Sequence, residues 1–297
     1  MIPGFTELAR RAGVEDRIVE DPADAERLIA CDPHNQPKLS LRRSISERYG
    51  SKALARTVCY DERDQPYPAF PGLFVSMSAR WMDGASMRPW AYPPTTLNRR
   101  IVAAVDEPEL LLSFVGSPTH PVREPLFSLS GEGVLTRRVD DFTFHRRDRD
   151  DDEVIRTSYA ADLMASAFVV CPRGHGAASI RLFETMRAGR VPVIVSDDWA
   201  EPVGPDWPSF SIRVPERDAA SVVDICRERS AEASAMGRLA ALEYGRWFSE
   251  EVYMSRLLDL VDQLPTRLPR SVVRVRAPLR ARHIARIVRN RCRPNNR

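Results

Sequence analysis

The segment from Cys171 to Trp199, "CPRGHGAASIRLFETMRAGRVPVIVSDDW", constrains what this chain can fold into more than any other. It follows one apolar run, "AFVV", and contains a second one, "VPVIV". The residues between the two runs predict a helix over 179–188 that stops at Gly189. A strand over 167–171, this helix and a strand over 191–195 form a βαβ unit, which favours a parallel sheet.

The same alternation of strands and helices extends to both sides of this unit. The patterns predict a buried strand over 110–117, an amphipathic helix over 153–167 and two or three helices over 218–263. The first hundred residues are irregular and rich in proline, with short strands predicted over 57–60 and 72–81. We therefore expect an α/β protein with a parallel sheet.

A change in composition near "VDEPE" predicts the domain boundaries. We expect a small N-terminal domain over 1–108, a larger C-terminal domain over 109–265 and a basic tail over 266–297. The tail holds 11 of the 44 Lys and Arg residues and no acidic residue. The rest of the chain therefore has 33 basic against 41 acidic side chains, so the basic pI belongs to the tail and does not indicate a nucleic-acid-binding body.

Other bulk features exclude several classes of protein. No stretch approaches the roughly 18–20 apolar residues of a membrane helix, and the first residues lack the apolar centre of a signal peptide. The five cysteines show no paired spacing, which disfavours a disulfide framework or a zinc site. We expect a cytoplasmic protein.

The loop between the strand and the helix has the chemistry of an anion site. Gly174 and Gly176 allow the backbone to approach a ligand, and Ser179 can cap the helix or donate to an oxygen. The free N–H groups of the first helical turn attract phosphate. Arg173 and Arg181 add positive charge that pairs well with phosphate oxygens.

Glu184 follows Arg181 by three residues, and this spacing leaves two interpretations open. In the first, the carboxylate accepts hydrogen bonds from a ribose diol, and the loop binds a nucleoside diphosphate. In the second, the two side chains form an ordinary surface ion pair, and the strand–glycine–helix turn has no ligand.

The residues from 166 to 216 closely resemble the exostosin family of glycosyltransferases. The matching motifs, in chain order, are Cys171-Pro172-Arg173-Gly174, then Ser179, Arg181, Leu182, Phe183 and Glu184, then Gly189, Pro192, Val193, Ser196 and Asp197, and finally Asp206, Trp207, Phe210, Ser211, Val214, Pro215 and Glu216. Weaker similarity covers most of 19–265, and the N-terminal half is shorter than the family pattern.

The resemblance implies a GT-B fold, in which two Rossmann-like domains face each other across a cleft, here with a small N-terminal one. It implies an inverting transfer from a nucleotide-sugar donor, commonly a UDP-sugar, to a glycan or glycoconjugate, without a metal or another cofactor. Carried over by position, the residues expected around the donor are Gly116, Arg123, Arg173, Gly174, His175, Gly176, Ser179, Arg181, Glu184, Asp197 and Asp198.

An inverting transfer also needs a base for the acceptor hydroxyl. The candidates are Asp61, Asp64 and Asp83 at or after predicted strands, and His120 in the loop between the halves. The "DRD" at 148–150 is similar to a manganese-binding Asp-x-Asp, but its highly charged setting favours a solvated loop. Trp81, Trp90 and Tyr92 could stack on a sugar ring or belong to the core.

The tail has apolar residues at helical spacing among its arginines, so it suits either an anionic membrane surface, with a lipid-linked glycan as acceptor, or a solubilising role. RNA binding is disfavoured because no aromatic residue lies among the arginines.

Two alternative functions stay open. The short N-terminal half would also suit a non-catalytic member that binds a nucleotide sugar or glycan and supports a partner. A different GT-B enzyme would use a GDP-linked donor.

Overall fold

The computed structural model describes residues 4–31, 41–64, 66, 68–104, 106–139 and 150–268 of the 297-residue chain. Within these residues the backbone forms two separate parallel sheets, one of four and one of five strands. This arrangement confirms the predicted α/β class with two Rossmann-like, GT-B-like halves. We call them the N-terminal and the C-terminal sheet.

The N-terminal sheet is built from short strands in sequential order: β1 (Leu28–Cys31), β2 (Thr57–Asp61), β3 (Gly72–Phe74) and β4 (Met87–Pro89). Every residue of β2 and β3 is buried, as expected for inner strands of a parallel sheet covered on both faces. The strand predicted over 72–81 is much shorter in the structure, because the chain leaves the sheet after Phe74 and turns toward the C-terminal half.

The C-terminal sheet has the order β6-β5-β7-β8-β9, formed by β5 (Leu110–Gly116), β6 (Val134–Arg138), β7 (Ser166–Pro172), β8 (Val191–Val195) and β9 (Ile212–Arg213). The predicted βαβ unit is confirmed. Its helix runs from Ile180 to Ala188, and Gly189 ends it with a φ of 71°, a left-handed conformation that favours glycine.

Nine α-helices accompany the strands in the described part of the chain: α1 (Phe5–Arg11), α2 (Leu41–Tyr49), α3 (Glu124–Phe127), α4 (Asp150–Met164), α5 (Ile180–Ala188), α6 (Trp207–Phe210), α7 (Val222–Glu228), α8 (Ala233–Trp247) and α9 (Tyr253–Asp262). The region predicted to hold two or three helices therefore contains α7, α8 and α9.

One hydrophobic cluster joins the two sheets. It contains Val58 and Leu73 of the N-terminal sheet together with Val169 and Ile194 of the C-terminal sheet. Helix α9 contributes Tyr253, whose hydroxyl donates to Tyr60 on β2 at 3.1 Å. Helix α9 thus packs against the N-terminal sheet, and the boundary predicted near residue 108 stays a prediction.

Candidate functional site

The carboxyl ends of the inner strands of the two sheets face each other. On the C-terminal side, β7 leads into the loop 173–179 and then into α5. A Cβ atom on Gly176 of this loop would lie 2.7 Å from Ser76 Oγ and 2.8 Å from the Cα of Asp64, both in loops that follow strands of the N-terminal sheet. In open α/β sheets a ligand binds at this edge, so the cleft lies where the sequence predicts it.

The guanidinium group of Arg123 donates hydrogen bonds to three backbone carbonyl oxygens in and near this loop. Nε donates to the carbonyl of Arg173 at 2.8 Å, Nη1 to Ser117 at 3.0 Å and Nη2 to Pro172 at 3.2 Å. Burial, followed by the nearby charge of Arg181, lowers the pKa of Arg123 to about 9. Burial and a neighbouring positive charge therefore both disfavour the charged form of this side chain.

Arg181 is buried at the start of α5, with 8% of its surface exposed. It donates to the carbonyls of Val170 and Val115, at opposite sides of its guanidinium, and it lies over the ring of Phe114 at 5.1 Å. Within the described residues neither Arg181 nor Arg123 forms an ion pair. Two close positive charges without an ion-pair partner among the described residues, in a largely buried place, favour an anionic ligand.

Two glycines allow these arginines to lie against the backbone. A Cβ atom on Gly116 would lie 3.0 Å from Nη2 of Arg181, and one on Gly174 would lie 3.1 Å from Nη2 of Arg123. Both distances are shorter than ordinary contacts, so a side chain at either position would displace a guanidinium. The structure therefore brings Gly116, Arg123, Gly174 and Arg181 together as predicted by position.

The loop that holds Gly174 leads directly into the first turn of α5, whose N–H groups have no partner within the helix. Ser179 occupies the N-cap position, as one of its two predicted roles requires, but its hydroxyl makes no capping hydrogen bond. His175 is exposed on the outer side of the loop. The predicted donor roles of both residues stay predictions.

Glu184 is buried one turn further along α5, with 2% of its surface exposed. Oε1 accepts the backbone N–H of Asn98 at 2.8 Å, and Oε2 accepts the Tyr159 hydroxyl at 2.7 Å. Glu184 and Arg181 therefore do not form the simple surface pair that the spacing left open. Sequence analysis did not identify Tyr159 and Asn98 as partners, since both are distant from α5 in the chain.

Arg173 leads to a second charged group at the end of β8. Its Nη1 lies 3.3 Å from Oδ2 of Asp198 and 3.5 Å from Oε1 of Glu216. Glu216 and Asp197 exchange hydrogen bonds, since each carboxylate accepts the backbone N–H of the other residue. Glu216 belongs to the motif that the sequence shares with exostosins, but it was not among the predicted site residues.

Asp198 connects this group to the N-terminal half. Its carbonyl accepts the N–H of Ala79 at 2.7 Å. Burial alone would raise the pKa of its carboxyl, but the nearby hydroxyl of Ser78, the hydrogen bond from Arg173 and the charge of Arg80 outweigh this and lower the pKa. Asp197 and Asp198 thus lie at the cleft, as expected, and Asp198 contacts the facing loop directly.

The candidate bases lie in different surroundings. Asp61 ends β2, is buried, and accepts hydrogen bonds from Arg63 Nε at 2.8 Å and Nη2 at 2.7 Å. Asp64 is exposed beside Gly176. His120 lies on the donor side, where its Nδ1 accepts the N–H of Val122; burial and then the charge of Arg173 lower its pKa.

The sequence predicts Asp83 just after a strand, but in the structure Asp83 precedes β4. Its Oδ1 accepts the N–H groups of Ala85, Ser86 and Met87, so it organises a turn at the amino end of β4, away from the cleft edge.

Trp90 is a core residue, and Trp81 lies half-buried with Arg80 over its ring. Tyr92 is half-buried, with its hydroxyl 3.1 Å from Ser76 Oγ.

No group of three His, Cys, Asp or Glu side chains in the described part of the chain could hold a metal ion. No described helix is long and apolar enough to cross a membrane. Residues 148–149 of the "DRD" and nearly all of the tail, 269–297, lie outside the described residues, so the hypotheses about them stay predictions.

Two parallel sheets whose carboxyl edges face each other, with Arg123 and Arg181 at that edge, define an α/β protein of two Rossmann-like halves. Residues 93–228 match the family model of the exostosin GT47 domain, which agrees with the resemblance seen in the sequence. This region includes the donor-side residues described above, from Gly116 to Glu216.

Two relatives show how far the similarity extends. An Exostosin-1 homolog of Caenorhabditis elegans is 42% identical over 87 residues, which cover 29% of this chain and 23% of that protein. Exostosin-1 of Drosophila melanogaster is 31% identical over 126 residues, covering 41% of this chain and 17% of that protein. The chain thus spans less than a quarter of the length of these relatives.

A crystal structure of a glycosyltransferase from Rickettsia africae ESF-5 is similar in fold. The superposition covers 86% of this chain and 81% of that chain, with a TM-score of 0.47 and 10% sequence identity.

Proposed function

We propose that this protein is a glycosyltransferase that takes a sugar from a nucleoside-diphosphate donor and transfers it to a hydroxyl of a glycan or glycoconjugate. One observation carries the proposal: Arg123 and Arg181 are close together, largely buried and without an ion-pair partner among the described residues, at the strand edge that precedes α5. A diphosphate would supply the missing negative charge, and the exostosin GT47 domain supports this assignment.

In this proposal the diphosphate lies between the two guanidinium groups and the first turn of α5. The free N–H groups of that turn and the hydroxyl of Ser179 donate to phosphate oxygens. Glu184 binds the ribose. Each of its oxygens already accepts one hydrogen bond, but a carboxylate oxygen has room for a second, so the ribose diol can add to the existing contacts. We propose UDP as the nucleotide.

The residues also suggest how the donor is activated. When the bond between the sugar and the diphosphate breaks, negative charge develops on the leaving oxygen. Arg123 and Arg181 are already fixed by backbone carbonyls, so they stabilise this charge without reorganising. We propose that this stabilisation works without a metal ion and that the acceptor attacks from the opposite face of the sugar, which inverts the anomeric centre.

The acceptor would enter from the N-terminal half, past Ser76 and Tyr92. The basic tail, with 11 arginines over 266–297, suits an anionic membrane surface, and we propose a lipid-linked glycan at the cytoplasmic face as the acceptor. Adding vesicles with and without anionic lipid to the wild type and to a chain ending at residue 268 tests this part separately.

A nucleotide screen tests the donor site. Melting temperatures would be measured with UDP, GDP, TDP and CMP, with their common sugar derivatives, and with and without EDTA. Arg181→Lys keeps the charge but loses the fork that binds phosphate in two places. Arg190→Lys is the matched control, since Arg190 is also buried and donates to the carbonyls of Met164 and Asp106, far from the site.

The proposal predicts that UDP or its sugars raise the melting temperature of the wild type and of Arg190→Lys, with or without EDTA. The same ligands should raise the melting temperature of Arg181→Lys much less. A preference for GDP would replace the proposed nucleotide. The absence of any shift in a wild type that melts cooperatively would refute the donor site. Binding without release of UDP from any donor would support a non-catalytic role.

A further inference from the structure

Glu62 is the first residue after β2, at the edge of the N-terminal sheet that faces the donor loop. Its Oε2 is buried and has no hydrogen-bond partner among the described residues, although Glu62 as a whole is only partly buried. An ionised carboxylate oxygen without a donor is costly to bury, so this oxygen requires an explanation beyond packing.

The groups around Glu62 are mostly neutral. The phenols of Tyr60 on β2, Tyr92 after β4 and Tyr253 on α9 all lie close enough to interact with its charge. Tyr253 donates to the Tyr60 hydroxyl and Tyr60 donates to the Ala91 carbonyl, each at 3.1 Å, and burial raises the pKa of both phenols. They therefore stay protonated near neutral pH.

Asp61 is the nearest negative charge and is held by Arg63. Burial, and then the charge of Asp61, raise the pKa of Glu62 to about 7. A carboxyl group that titrates near neutral pH can both accept a proton and release it at the working pH.

The position of Glu62 relative to the cleft follows from Tyr92. The Tyr92 hydroxyl interacts with the charges of both Glu62 and Asp64, and it lies 3.1 Å from Ser76 Oγ. Ser76 in turn lies directly against Gly176 of the donor loop. Glu62 therefore belongs to the acceptor side of the cleft, with Tyr92 and Ser76 between it and the donor loop.

The other candidates fit this role less well. Asp61 is ion-paired with Arg63, and Asp83 lies in a turn at the amino end of β4. His120 is on the donor side, beside Arg173. Asp64 lies at the cleft but is exposed, without the shielding that Glu62 has.

We infer that Glu62 is the catalytic base, an inference that rests on the proposed transferase function. As the acceptor oxygen forms its bond to the anomeric carbon, the bond from that carbon to the diphosphate breaks, and its electron pair leaves with the diphosphate. The acceptor O–H bond breaks in the same step, and its proton moves to the carboxylate of Glu62, a residue that is only partly buried. Solvent later removes this proton, which restores the carboxylate.

The test compares the full-length wild type with Glu62→Gln and Glu62→Asp. Glu228→Gln is the control, since Glu228 is exposed at the end of α7. Binding of UDP is measured by calorimetry. Release of UDP is measured from UDP-glucose, UDP-galactose, UDP-N-acetylglucosamine, UDP-glucuronic acid and UDP-xylose, with water or alkyl glycosides as acceptors, between pH 5 and 9.

We expect Glu62→Gln to bind UDP within about twofold of the wild type and to lower kcat by about 10²–10⁴-fold, with a smaller loss in Glu62→Asp. The wild type loses activity as the pH falls through about 7, and Glu62→Gln lacks this acidic limb. Melting curves confirm that Glu62→Gln is folded, because the amide removes a charge that is costly to bury.

A Glu62→Gln variant that keeps kcat within about threefold of an active wild type would overturn the assignment and leave the transferase function intact. So would an acidic limb that persists in Glu62→Gln. A wild type that binds UDP but releases none from any donor would contradict the assignment of Glu62 as the base and would leave the proposed nucleotide site intact. A wild type that binds no nucleotide would refute the proposed function and the base with it.

Discussion

Gly176 and Ser76 are in contact across the cleft, so closely that a Cβ atom on residue 176 would lie 2.7 Å from Ser76 Oγ. The contact joins the loop before α5 to the loop after β3 and fixes the distance between the two sheets. Gly176→Ala should therefore force the halves apart or strain the loop, lowering the free energy of unfolding by about 1–3 kcal/mol. Urea denaturation measures this change.

Gly245→Ala is the control for that prediction. Gly245 lies in α8, and a Cβ atom there would meet nothing within 4 Å. Because alanine favours a helix over glycine, this variant should be more stable than the wild type by about 0.5–1 kcal/mol. Equal stability of Gly176→Ala and the wild type would show that the two loops are not in close contact.

The pairing of Glu184 with Tyr159 gives a second prediction. Tyr159→Phe removes the O–H that donates to Oε2 at 2.7 Å and leaves a buried carboxylate oxygen without this donor. The loss should cost about 1–3 kcal/mol in urea unfolding. Tyr49→Phe, at an exposed position on α2, should change the stability by less than about 0.5 kcal/mol. Similar values for both variants would contradict the hydrogen bond.

Asp198 gives a prediction about pH. The folded protein lowers the pKa of its carboxyl, through Ser78, Arg173 and Arg80, below the value of about 3.9 expected in the unfolded chain. Its contribution to stability is thus complete above that value and is lost as the pH falls through the folded pKa. The stability difference between wild type and Asp198→Asn should shrink between about pH 5 and pH 2. A difference that stays constant over this range would be inconsistent with the lowered pKa.

Burial makes Cys171 unreactive. Desolvation raises the pKa of its thiol to about 12, so almost no thiolate is present at pH 8. Iodoacetamide should label Cys171 and the similarly buried Cys226 only after denaturation, whereas the half-buried Cys31 should react in the folded protein. Mass spectrometry of the modified peptides measures this order. Labelling of Cys171 at the rate of Cys31 in the native state would contradict it.

The C-terminal sheet was more predictable than the N-terminal one. The strands β5, β7 and β8 are apolar runs of five to seven residues, and Gly189 gives a clear end to α5. The strands β3 and β4 have three residues each, which is too short for a pattern of periodicity to be recognised. For the same reason the sequence pattern places Asp83 at the end of a strand, whereas in the structure Asp83 begins the turn before β4.

Within the site, local spacing identified Arg173, Arg181 and Glu184, because one loop and one helix position them. The partners that define their chemistry come from elsewhere in the chain: Glu184 binds Tyr159, and Arg173 contacts Glu216. Glu62 was missed because its carboxyl is buried by contacts between distant parts of the chain. Tyr60 and Tyr253, whose phenols face it, are 193 residues apart.

The central claim is that Arg123 and Arg181 together bind a diphosphate. Isothermal titration of uridine, UMP and UDP into the wild type, Arg181→Lys and Arg190→Lys tests it most directly. The account predicts that affinity rises with each phosphate, that UDP binds wild type and Arg190→Lys alike, and that Arg181→Lys binds UDP at least about tenfold more weakly. Equal affinities of the wild type for uridine and UDP, or of Arg181→Lys and the wild type for UDP, would contradict the claim.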